Sequence, residues 1–517
     1  MPDRPNFLII CTDQHRADHL GCDGNSAIKT PNIDQLASQG VQFDRGYVNC
    51  PLCMPSRATM FTGMTPRGHG VRTNGIPLDE RVPTVPGALS DAGYTTASIG
   101  KIHLSNMGVR DDATVSGFDP YDFPEIGSLW QSGEVDHIPT PYYGLNHVDI
   151  TLGHGSGIQG HYAKWLEKEH SAQFETIITH GVAPPPLGAE ACGTYQIAEE
   201  YHHTTYVADR TVDYLENYRS DDPYFLMCSF PDPHHPYYPP EPWDRMYGID
   251  DVIPPAAREG ELEDLAPFFT EVYNDCPRLS GRIRPTKMPD DHRLEILAHV
   301  YGMISLIDKQ VGRLLTALEE SGKADNTVVV FTADHGDMMG DHGLHNKGPF
   351  HFEGLLRVPM IWSWPGRFES GATLALASLL DFAPTVMDLA GVPIPEGPGS
   401  SEAMPSQPPP WPGRSLTPVL NGDDDHVQES VVVENDEDYL GLRLRTLITA
   451  THKITTYTGH RGAEPFGELF DLERDPQELY NLWDRQECAG LRRELIEKLH
   501  HRLTETDIAV PRRLGHA

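Results

Sequence analysis

The chain has 517 residues, and its 75 Asp and Glu residues outnumber its 40 Lys and Arg residues, which gives a formal net charge of −35. This balance argues against nucleic acid or an anionic membrane surface as a partner, because both are bound through basic patches. An anionic substrate would have to be drawn into a local cationic pocket against the field of the whole molecule. The length is sufficient for a large core and for more than one structural unit.

The cysteine and hydropathy patterns bear on the cellular compartment. The eight cysteines are sparse, and only Cys50 and Cys53 lie close together, so they do not indicate a disulfide framework. Cys11 and Cys228 lie in apolar runs and are predicted to be buried. No signal peptide is visible, and no apolar run approaches the ~20 residues that span a bilayer. We therefore expect a soluble, cytoplasmic protein without membrane attachment, while its oligomeric state, including a homo-oligomer, stays open.

Short apolar runs and one long helical pattern predict the fold class. Phe7–Cys11 is typical of a strand buried on both faces, and Tyr224–Cys228 and Val328–Phe331 repeat the pattern. Thr30–Gly40 carries helix start and stop signals, and apolar residues recur at helical spacing over Leu294–Leu318. A long amphipathic helix followed by a buried strand is typical of a mainly parallel sheet. The sequence thus predicts an α/β fold with a large mixed, mainly parallel sheet flanked by helices.

The remaining segments indicate the domain organisation. Residues 1–392 are interpreted as the main α/β domain, within which the segment 111–193 lacks sustained periodicity and is interpreted as long loops or a lid-like insertion. The stretch 393–424 is rich in Pro, Ser and Gly and is a predicted connector. In 425–517, short alternating runs and a helical pattern near Leu491–Leu503 predict a smaller C-terminal antiparallel sheet with a final helix.

Two of the predicted strands are followed by candidate cation ligands. Asp13 and Gln14 come directly after the first strand, and Asp334 and His335 follow the last of the three. In open α/β sheets, the ligand crevice lies at the carboxyl ends of the strands. Two carboxylates, an amide oxygen and an imidazole from neighbouring strand ends can hold a divalent cation. A single Asp at such a place, however, also commonly caps a helix or closes a turn.

The stretch around Cys53 combines a thiol, a proline and an arginine. Pro55 is predicted to open a helix, because its missing N–H has no intrahelical partner at the first position. The thiol would then lie at the positive end of the helix, which attracts anions and lowers a thiol's pKa. With Arg57 in the first turn, the pattern favours a nucleophile that attacks an anion. Cys50 and Cys53 also form a Cys-x-x-Cys pair, which could bind zinc or carry out redox chemistry. A zinc site would need a second pair of ligands, and a redox site would need a thioredoxin-like βαβ unit at its start, and neither is visible in the sequence.

Two stretches resemble the signatures of one enzyme family. Cys53–Arg57, followed by Thr62-Gly63, is similar to the first signature of the sulfatases, Cys-x-Pro-Ser-Arg-x-x-x-x-Thr-Gly. Gly93–His103 is similar to the second, which ends in Gly-Lys-x-His, and the two occur in the expected order. The resemblance implies an alkaline phosphatase-like fold, with 1–392 as the catalytic domain.

The resemblance also implies a mechanism. Cys53 would be oxidised to formylglycine by a formylglycine-generating enzyme, and the hydrated aldehyde would be the nucleophile that attacks a small-molecule sulfate ester. Arg57 would hold the modified side chain by charge-assisted hydrogen bonds. Lys101 would contact the nucleophile and the sulfate, and His103 would take the proton when the sulfated hemiacetal collapses to the aldehyde. Both follow Thr96–Ile99 at strand spacing, which predicts that they point to one face.

Further candidate residues come from shorter motifs. Pro233–Pro236 resembles the family's Pro-His-x-Pro, which implies a sulfate-binding role for His234. Lys347 resembles the second active-site lysine, so Lys347 or His234 would protonate the leaving alcohol. Asn74 is a further candidate for contact with the anion. A lone histidine is otherwise interpreted as a solvated surface residue, and this interpretation applies to His235, His342, His345 and His351.

The metal ligands that the resemblance implies are Asp13, Gln14, Cys53, Asp334 and His335. Many sulfatases carry Asp-Asp and Asp-Asn at these strand ends and bind calcium, so this chain has one carboxylate fewer and one imidazole more. Oxygen ligands favour Ca²⁺, whereas imidazole is better matched to Mn²⁺. The related phosphonate monoester hydrolases use a similar set with manganese. We expect one divalent cation, Ca²⁺ with Mn²⁺ as the alternative.

Three functions are compatible with these patterns. The first is a sulfatase that cleaves a sulfate monoester at the S–O bond. The second is a phosphonate monoester or phosphodiester hydrolase, which the Asp-Gln opening favours and which Lys101 and His103 oppose, because that branch typically has uncharged groups there. The third is a thiol-based metal or redox protein without hydrolase activity. The two signatures favour the first, and the net charge disfavours long polyanionic chains as its substrate.

Overall fold

The apolar run Phe7–Cys11 lies at the centre of the largest sheet in the computed structural model of the protein. The structure describes residues 4–108, 119–261, 264–265, 268–269, 288–395, 411–438, 441–459 and 466–507.

The strands of the described residues are β1 (Asn6–Thr12), β2 (Val41–Phe43), β3 (Gly46–Tyr47), β4 (Thr95–Gly100), β5 (His147–Leu152), β6 (Gln159–Gly160), β7 (Val182–Ala183), β8 (Thr194–Tyr195), β9 (Tyr224–Ser229), β10 (Thr327–Ala333), β11 (Met360–Ser363), β12 (Gly371–Thr373), β13 (Ala377–Ser378), β14 (Val431–Glu437), β15 (Leu442–Ile448), β16 (His452–Thr458) and β17 (Phe466–Asp471). The α-helices of the same residues are α1 (Pro31–Gln39), α2 (Cys53–Thr62), α3 (Pro66–His69), α4 (Val85–Asp91), α5 (Gly127–Ser132), α6 (His161–Glu169), α7 (Ser171–His180), α8 (His203–Asn217), α9 (Asp290–Glu320), α10 (Glu353–Leu356), α11 (Phe382–Ala390), α12 (Thr417–Leu420) and α13 (Ala489–Glu505).

The large sheet is mixed and mainly parallel. Within the described ranges it has nine strands in the order β12-β2-β11-β10-β1-β9-β4-β5-β6. The five strands from β10 to β5 run parallel to one another, and antiparallel pairs occur towards the two ends. The other two strands that the sequence predicted are the direct neighbours of β1: β9 lies on one side and β10 on the other.

Helices cover both faces of this sheet. Successive side chains of a strand point to opposite faces, so Phe7, Ile9 and Cys11 pack into one core with helices α2, α4 and α11. Leu8 and Ile10 pack into the other core with helices α1, α8 and α9. The predicted helix over Leu294–Leu318 is confirmed as the central part of α9. The predicted burial of the Cys11 and Cys228 side chains is also confirmed.

The C-terminal part forms the predicted antiparallel sheet, in the order β14-β15-β16-β17, with α13 as the final helix. One face of this small sheet packs against α13 through Leu495 and Leu499. The other face packs against Phe350 and Phe352, which lie just after the segment that carries Lys347. The domain boundaries near residues 392 and 424 stay predictions, and residues 396–410 of the connector lie outside the described part of the chain.

The segment 111–193 differs from its prediction as loops or a lid. Its first residues, up to 118, are not among those described, but β5 and β6 extend the large sheet and α5, α6 and α7 lie around them. Strand β5 is exposed or half-buried over His147–Asp149 and fully buried only from Ile150 onward, so its apolar run is too short to stand out in the sequence. Among the described residues, no helix combines the length and apolar composition that crossing a membrane requires.

Candidate active site

The five neighbouring parallel strands all deliver polar side chains to the same edge of the sheet, because parallel strands have their carboxyl ends on one side. These residues follow β10 (Asp334 and His335), β1 (Asp13 and Gln14), β9 (His234), β4 (Lys101 and His103) and β5 (His154). The side chain of Cys53, at the start of α2, points into this group: its Sγ lies 3.2 Å from Nε2 of His335.

Helix α2 begins two residues earlier than predicted, at Cys53 rather than at Pro55. Proline is tolerated at the third helical position as well, because the first four N–H groups of a helix lack an intrahelical acceptor. One of these free groups, the N–H of Met54, donates to Oδ1 of Asn74 at 3.0 Å. Asn74, which the sequence predicted as an anion contact, is an exposed residue whose side chain caps helix α2.

Several donor atoms converge beside the thiol. The ligand atoms of Asp13, Cys53, Asp334 and His335 all lie within 4.8 Å of one another, and all four residues are buried. Oδ1 of Asp13 lies 3.8 Å from Sγ of Cys53 and 3.6 Å from Nε2 of His335. Buried carboxylates gathered this closely require cations to compensate their charge.

The hydrogen bonds around these donors orient them for a cation. Nδ1–H of His335 donates to the carbonyl of Gly336 at 2.8 Å, so Nε2 faces the cluster and, once deprotonated, is the atom that can bind a cation, as in metal-binding histidines. Nε2 of Gln14 donates to the carboxylate of Asp337, which turns Oε1 towards the cluster. The ammonium of Lys347 lies 3.2 Å from this Oε1 and 3.1 Å from Nε2 of His335. Carboxylate and amide oxygens with one imidazole suit Ca²⁺ or Mn²⁺, so the residues fit a divalent cation.

Arg57 is fully buried and links three strand ends. Its Nε donates to Oδ2 of Asp334 at 2.7 Å, and its Nη1 donates at 2.9 Å to the carbonyl of Lys101 and to Oγ of Ser229. Its Nη2 is buried and has no hydrogen-bond partner among the described residues. This N–H group is available to a further acceptor at the site.

Lys101 and His103 lie beyond the end of β4, so the predicted strand spacing does not extend to them. The strand stops at Gly100, which has a φ of +101° and where a Cβ would lie 1.9 Å from the carbonyl oxygen of Ser229, so that only glycine fits. His103 has a φ of 59°, which a strand does not adopt. The ammonium of Lys101 is nevertheless inside the site, where it contacts the carboxylate of Asp13.

The surroundings of His103 keep its imidazole neutral, which differs from the charge that was held against the phosphonate hydrolase function but is compatible with its predicted role as a proton acceptor. Burial, together with the cations of Lys101 and Arg57, lowers the pKa of His103 well below its ordinary value, so its imidazole is neutral at neutral pH. Its Nδ1 is buried without a hydrogen-bond partner in the described ranges. A neutral ring with an unpartnered nitrogen suits a proton acceptor better than a charged donor.

The turn that carries His103 is held by Glu125, which sequence reasoning missed. The buried carboxylate accepts the backbone N–H groups of His103 at 2.8 Å and of Leu104 and Ser105 at 3.0 Å, and the hydroxyl of Tyr142 at 2.8 Å. No motif marks Glu125, and it lies in the segment that was interpreted as loops or a lid. Its role follows from contacts with residues about twenty positions earlier in the chain.

We predict that Glu125→Gln lowers the free energy of unfolding by about 1–3 kcal/mol, because its amide NH₂ would face a buried backbone N–H and leave that donor unpaired. Urea unfolding followed by circular dichroism measures the effect. Glu134→Gln is the matched control, because Glu134 is exposed and bonds only to the nearby Ser132 hydroxyl among its described contacts. Equal unfolding midpoints for the two variants would contradict the prediction.

His234 and Lys347 form a second pair at the thiol. Nδ1–H of His234 donates to the carbonyl of His235 at 2.5 Å, which leaves Nε2 of His234 to accept from the ammonium of Lys347 at 2.9 Å. The same ammonium lies 3.0 Å from Sγ of Cys53. In this pair Lys347 is therefore the proton donor and His234 the acceptor.

Electrostatics around Cys53 favour the thiolate. Burial and the Asp13 carboxylate act to raise the pKa of the thiol, but Lys101, Lys347 and His335 outweigh them and lower it to about 7. Burial alone would likewise raise the pKa of Asp13, yet Lys101, with His234 and His154, holds it well below its usual range. A strongly acidic chain thus builds a local cationic site.

The histidines that were interpreted as solvated surface residues are not on the surface. His342, His345 and His351 are buried, and His342 stacks on Phe352 with ring centroids 3.9 Å apart. His235 is partly buried at the site, where its Nδ1 lies 3.2 Å from Nε2 of Gln14. Their packing against distant segments could not be inferred from the local sequence.

Cys50 is buried as well, and burial raises its pKa, so it does not share the reactive character of Cys53.

Comparisons with known proteins agree with this geometry. Residues 5–392 match the sulfatase family, and residues 340–506 match the family described as N-sulphoglucosamine sulphohydrolase, C-terminal. The arylsulfatase of Clostridium perfringens is 30% identical over 518 residues, which cover 96% of this chain and 95% of that protein. The choline-sulfatase of Rhizobium meliloti is 27% identical over 483 residues, which cover 93% of this chain and 82% of that protein.

A solved structure shares the whole architecture. The phosphonate monoester hydrolase of Agrobacterium radiobacter superposes with a TM-score of 0.79 at 26% identity, over 98% of this chain and 96% of its own. The α/β fold with its smaller C-terminal sheet is therefore confirmed. Because the family match spans most of the chain and one relative at 30% identity spans nearly all of it, the chain belongs to the sulfatase family.

Proposed function

We propose that this protein hydrolyses a small-molecule sulfate monoester, with Cys53 converted to formylglycine and one divalent cation held by Asp13, Gln14, Asp334 and His335. The observation that carries the proposal is the meeting of this donor set with the Cys53 side chain, Arg57, Lys101 and Lys347 at one edge of the sheet. The sulfatases of Clostridium perfringens and Rhizobium meliloti support the reaction class.

The chain's own residues then have distinct tasks. Formylglycine, made during maturation by a formylglycine-generating enzyme, supplies a hydrated aldehyde as the nucleophile, and the cation supplies Lewis-acid stabilisation of the negative charge. Arg57 has a buried N–H group to spare for the modified side chain. Lys347 places its ammonium beside position 53 and Lys101 places its own on the adjacent carboxylate of Asp13, and both can offset charge on the transferred group.

Proton transfer is assigned from the hydrogen-bond pattern. The carbonyl of His235 holds the proton of His234 on Nδ1, so Lys347 is the donor to the leaving alcohol, and His234 accepts a bond from Lys347 through Nε2. His103 is neutral and has an unpartnered Nδ1, so it is the base that takes the proton when the aldehyde is regenerated. We retain Ca²⁺ as the proposed cation and Mn²⁺ as its alternative, because the ligand set combines oxygens with one imidazole.

The second candidate function is hydrolysis of phosphonate monoesters or phosphodiesters. Two observations favour it: the phosphonate monoester hydrolase of Agrobacterium radiobacter shares this fold over nearly its whole length, and the Asp-Gln and Asp-His ligand pairs are present. Phosphonate monoester hydrolases typically have uncharged groups at the positions of Lys101 and His103, and a neutral His103 is compatible with that pattern. The charged Lys101 still favours the sulfatase.

A substrate panel distinguishes the two. We predict that kcat/KM is highest for an aryl sulfate, compared with a phenylphosphonate monoester and a phosphodiester that carry the same aryl leaving group. A higher kcat/KM for the phosphonate would establish the second candidate instead. Mass spectrometry of the peptide that contains Cys53 tests both, because conversion of the thiol to the aldehyde lowers its mass by about 18 Da. An unmodified thiol in the active protein would refute both hydrolase functions as proposed.

A further inference from the structure

We propose that His154 is a positioning residue that holds the carboxylate of Asp13 in the orientation in which it binds the cation. This inference rests on the proposed cation site. His154 follows β5, in the segment that the sequence analysis interpreted as long loops or a lid, and no motif assigns it a role.

The two oxygens of Asp13 face different neighbours. Oδ1 lies on the cation side, 3.6 Å from Nε2 of His335 and 3.8 Å from Sγ of Cys53. Oδ2 lies on the opposite side, where it contacts the ammonium of Lys101 and lies 3.1 Å from Nε2 of His154. The orientation of the carboxylate plane therefore depends on what binds Oδ2.

Nε2 of His154 has two neighbours, an ammonium and a carboxylate. Nε2 of His154 lies 2.9 Å from Nζ of Lys101 as well as 3.1 Å from Oδ2 of Asp13. An ammonium only donates and an ionised carboxylate only accepts, so Nε2 of His154 can accept from Lys101 in one tautomer or, as the Nε2–H tautomer, donate to Oδ2 of Asp13. Because the proposed reaction engages Lys101 with the sulfate, the ammonium then leaves both partners, and the Nε2–H tautomer of His154 is the donor that keeps Oδ2 bound.

The imidazole of His154 is also held in place by its surroundings. Its ring stacks on that of His234, with centroids 3.6 Å apart and planes 8° from parallel. The next residue, Gly155, has a φ of 56°, and a Cβ there would lie 2.6 Å from Cγ of Pro236. This close approach of two loops places the ring before any cation binds. Hydrogen bonds from such second-layer residues typically change metal affinity by about 10–100-fold when they are removed.

Two substitutions separate the N–H donor from the ring stack. His154→Phe keeps a flat ring against His234 but has no N–H, whereas His154→Gln keeps an N–H donor without the ring. The dissociation constants of Mn²⁺ and Ca²⁺ are measured by calorimetry on the metal-depleted full-length chain, so the readout does not depend on turnover. We expect a dissociation constant about 10–100-fold higher for His154→Phe and a much smaller change for His154→Gln. His180→Phe, at the exposed end of α7, is the matched control and should bind like the wild type.

The outcomes distinguish this inference from the function on which it rests. If the wild-type chain binds neither Mn²⁺ nor Ca²⁺, the proposed cation site itself is wrong. If the wild type binds but His154→Phe binds equally well, or if both variants weaken binding equally, donation to Asp13 is refuted. Should the phenylalanine variant fail to fold, His154→Leu replaces it, because Leu and Gln both lack the ring and differ in the N–H donor.

Discussion

Replacing Cys53 with alanine is expected to reduce kcat for the aryl sulfate by several orders of magnitude, because the substitution removes the proposed covalent nucleophile. The side chain is almost fully buried, at 2% exposure, among groups that would stabilise a negative charge on it: Lys101, Lys347 and Arg57. These cations cannot replace a missing nucleophile. Stopped assays with the aryl sulfate, at equal amounts of folded protein, measure the loss.

Cys50→Ala is the matched control for this experiment. Cys50 is also buried and lies three residues earlier, in the loop before α2, but its thiol is absent from the cluster around Asp13 and His335. We expect kcat of this variant to stay within about threefold of the wild type, as for a change outside the reacting groups. A Cys53→Ala variant that turns over at a rate close to that of Cys50→Ala would disprove the assigned nucleophile.

Asp334→Asn is expected to have the second large effect, on both stability and activity. Asp334 and Arg57 form an ion pair with an N–O distance of 2.7 Å in which both side chains are fully buried. Removing one charge leaves the guanidinium uncompensated in the interior, which typically lowers the free energy of unfolding by about 3–5 kcal/mol. The substitution also removes a carboxylate from the proposed cation site, so we expect hydrolysis to be lost as well.

Asp334→Asn can lower the free energy of unfolding by breaking the buried ion pair and by weakening cation binding. Urea unfolding in excess EDTA isolates the effect of the ion pair, because chelation removes any stabilisation by a bound cation. Asp79→Asn is the control, because Asp79 pairs with Arg81 at the surface, where the side chains are 45% and 86% exposed. Its unfolding midpoint should stay close to that of the wild type. An Asp334→Asn variant as stable in EDTA as Asp79→Asn would mean that the buried pair does not stabilise the fold.

Much of the fold could be predicted because its signals are local. The continuous apolar runs of β1, β9 and β10 and the helical spacing of α9 each reflect burial of one segment, and they were sufficient to predict a mainly parallel sheet covered by helices. Strand β5 was not predicted, because it lies near one end of the sheet and only its second half is buried. The segment around it was therefore interpreted as loops or a lid.

Some residues of the candidate site could likewise be predicted from local signals, and others could not. Asp13, Gln14, Asp334 and His335 could be placed together because they end strands that were recognisable, and the signature residues from Cys53 to His103 could be named from the resemblance. The position of Asn74 could not be predicted, because its exposed side chain and its bond to the N–H of Met54 depend on how a later loop folds back on α2.

By itself, the sequence of this protein determined the family, the fold class and most of the reactive groups, because these depend on short motifs and on the periodicity of single segments. The tertiary structure decided which of these groups are charged, which tautomers they adopt and which further residues hold them. The carboxylate of Asp13 meets His154 across 141 positions of the chain, and Arg57 meets Asp334 across 277. Burial and hydrogen bonds between such distant residues set the protonation and orientation of the site, and no local pattern encodes them.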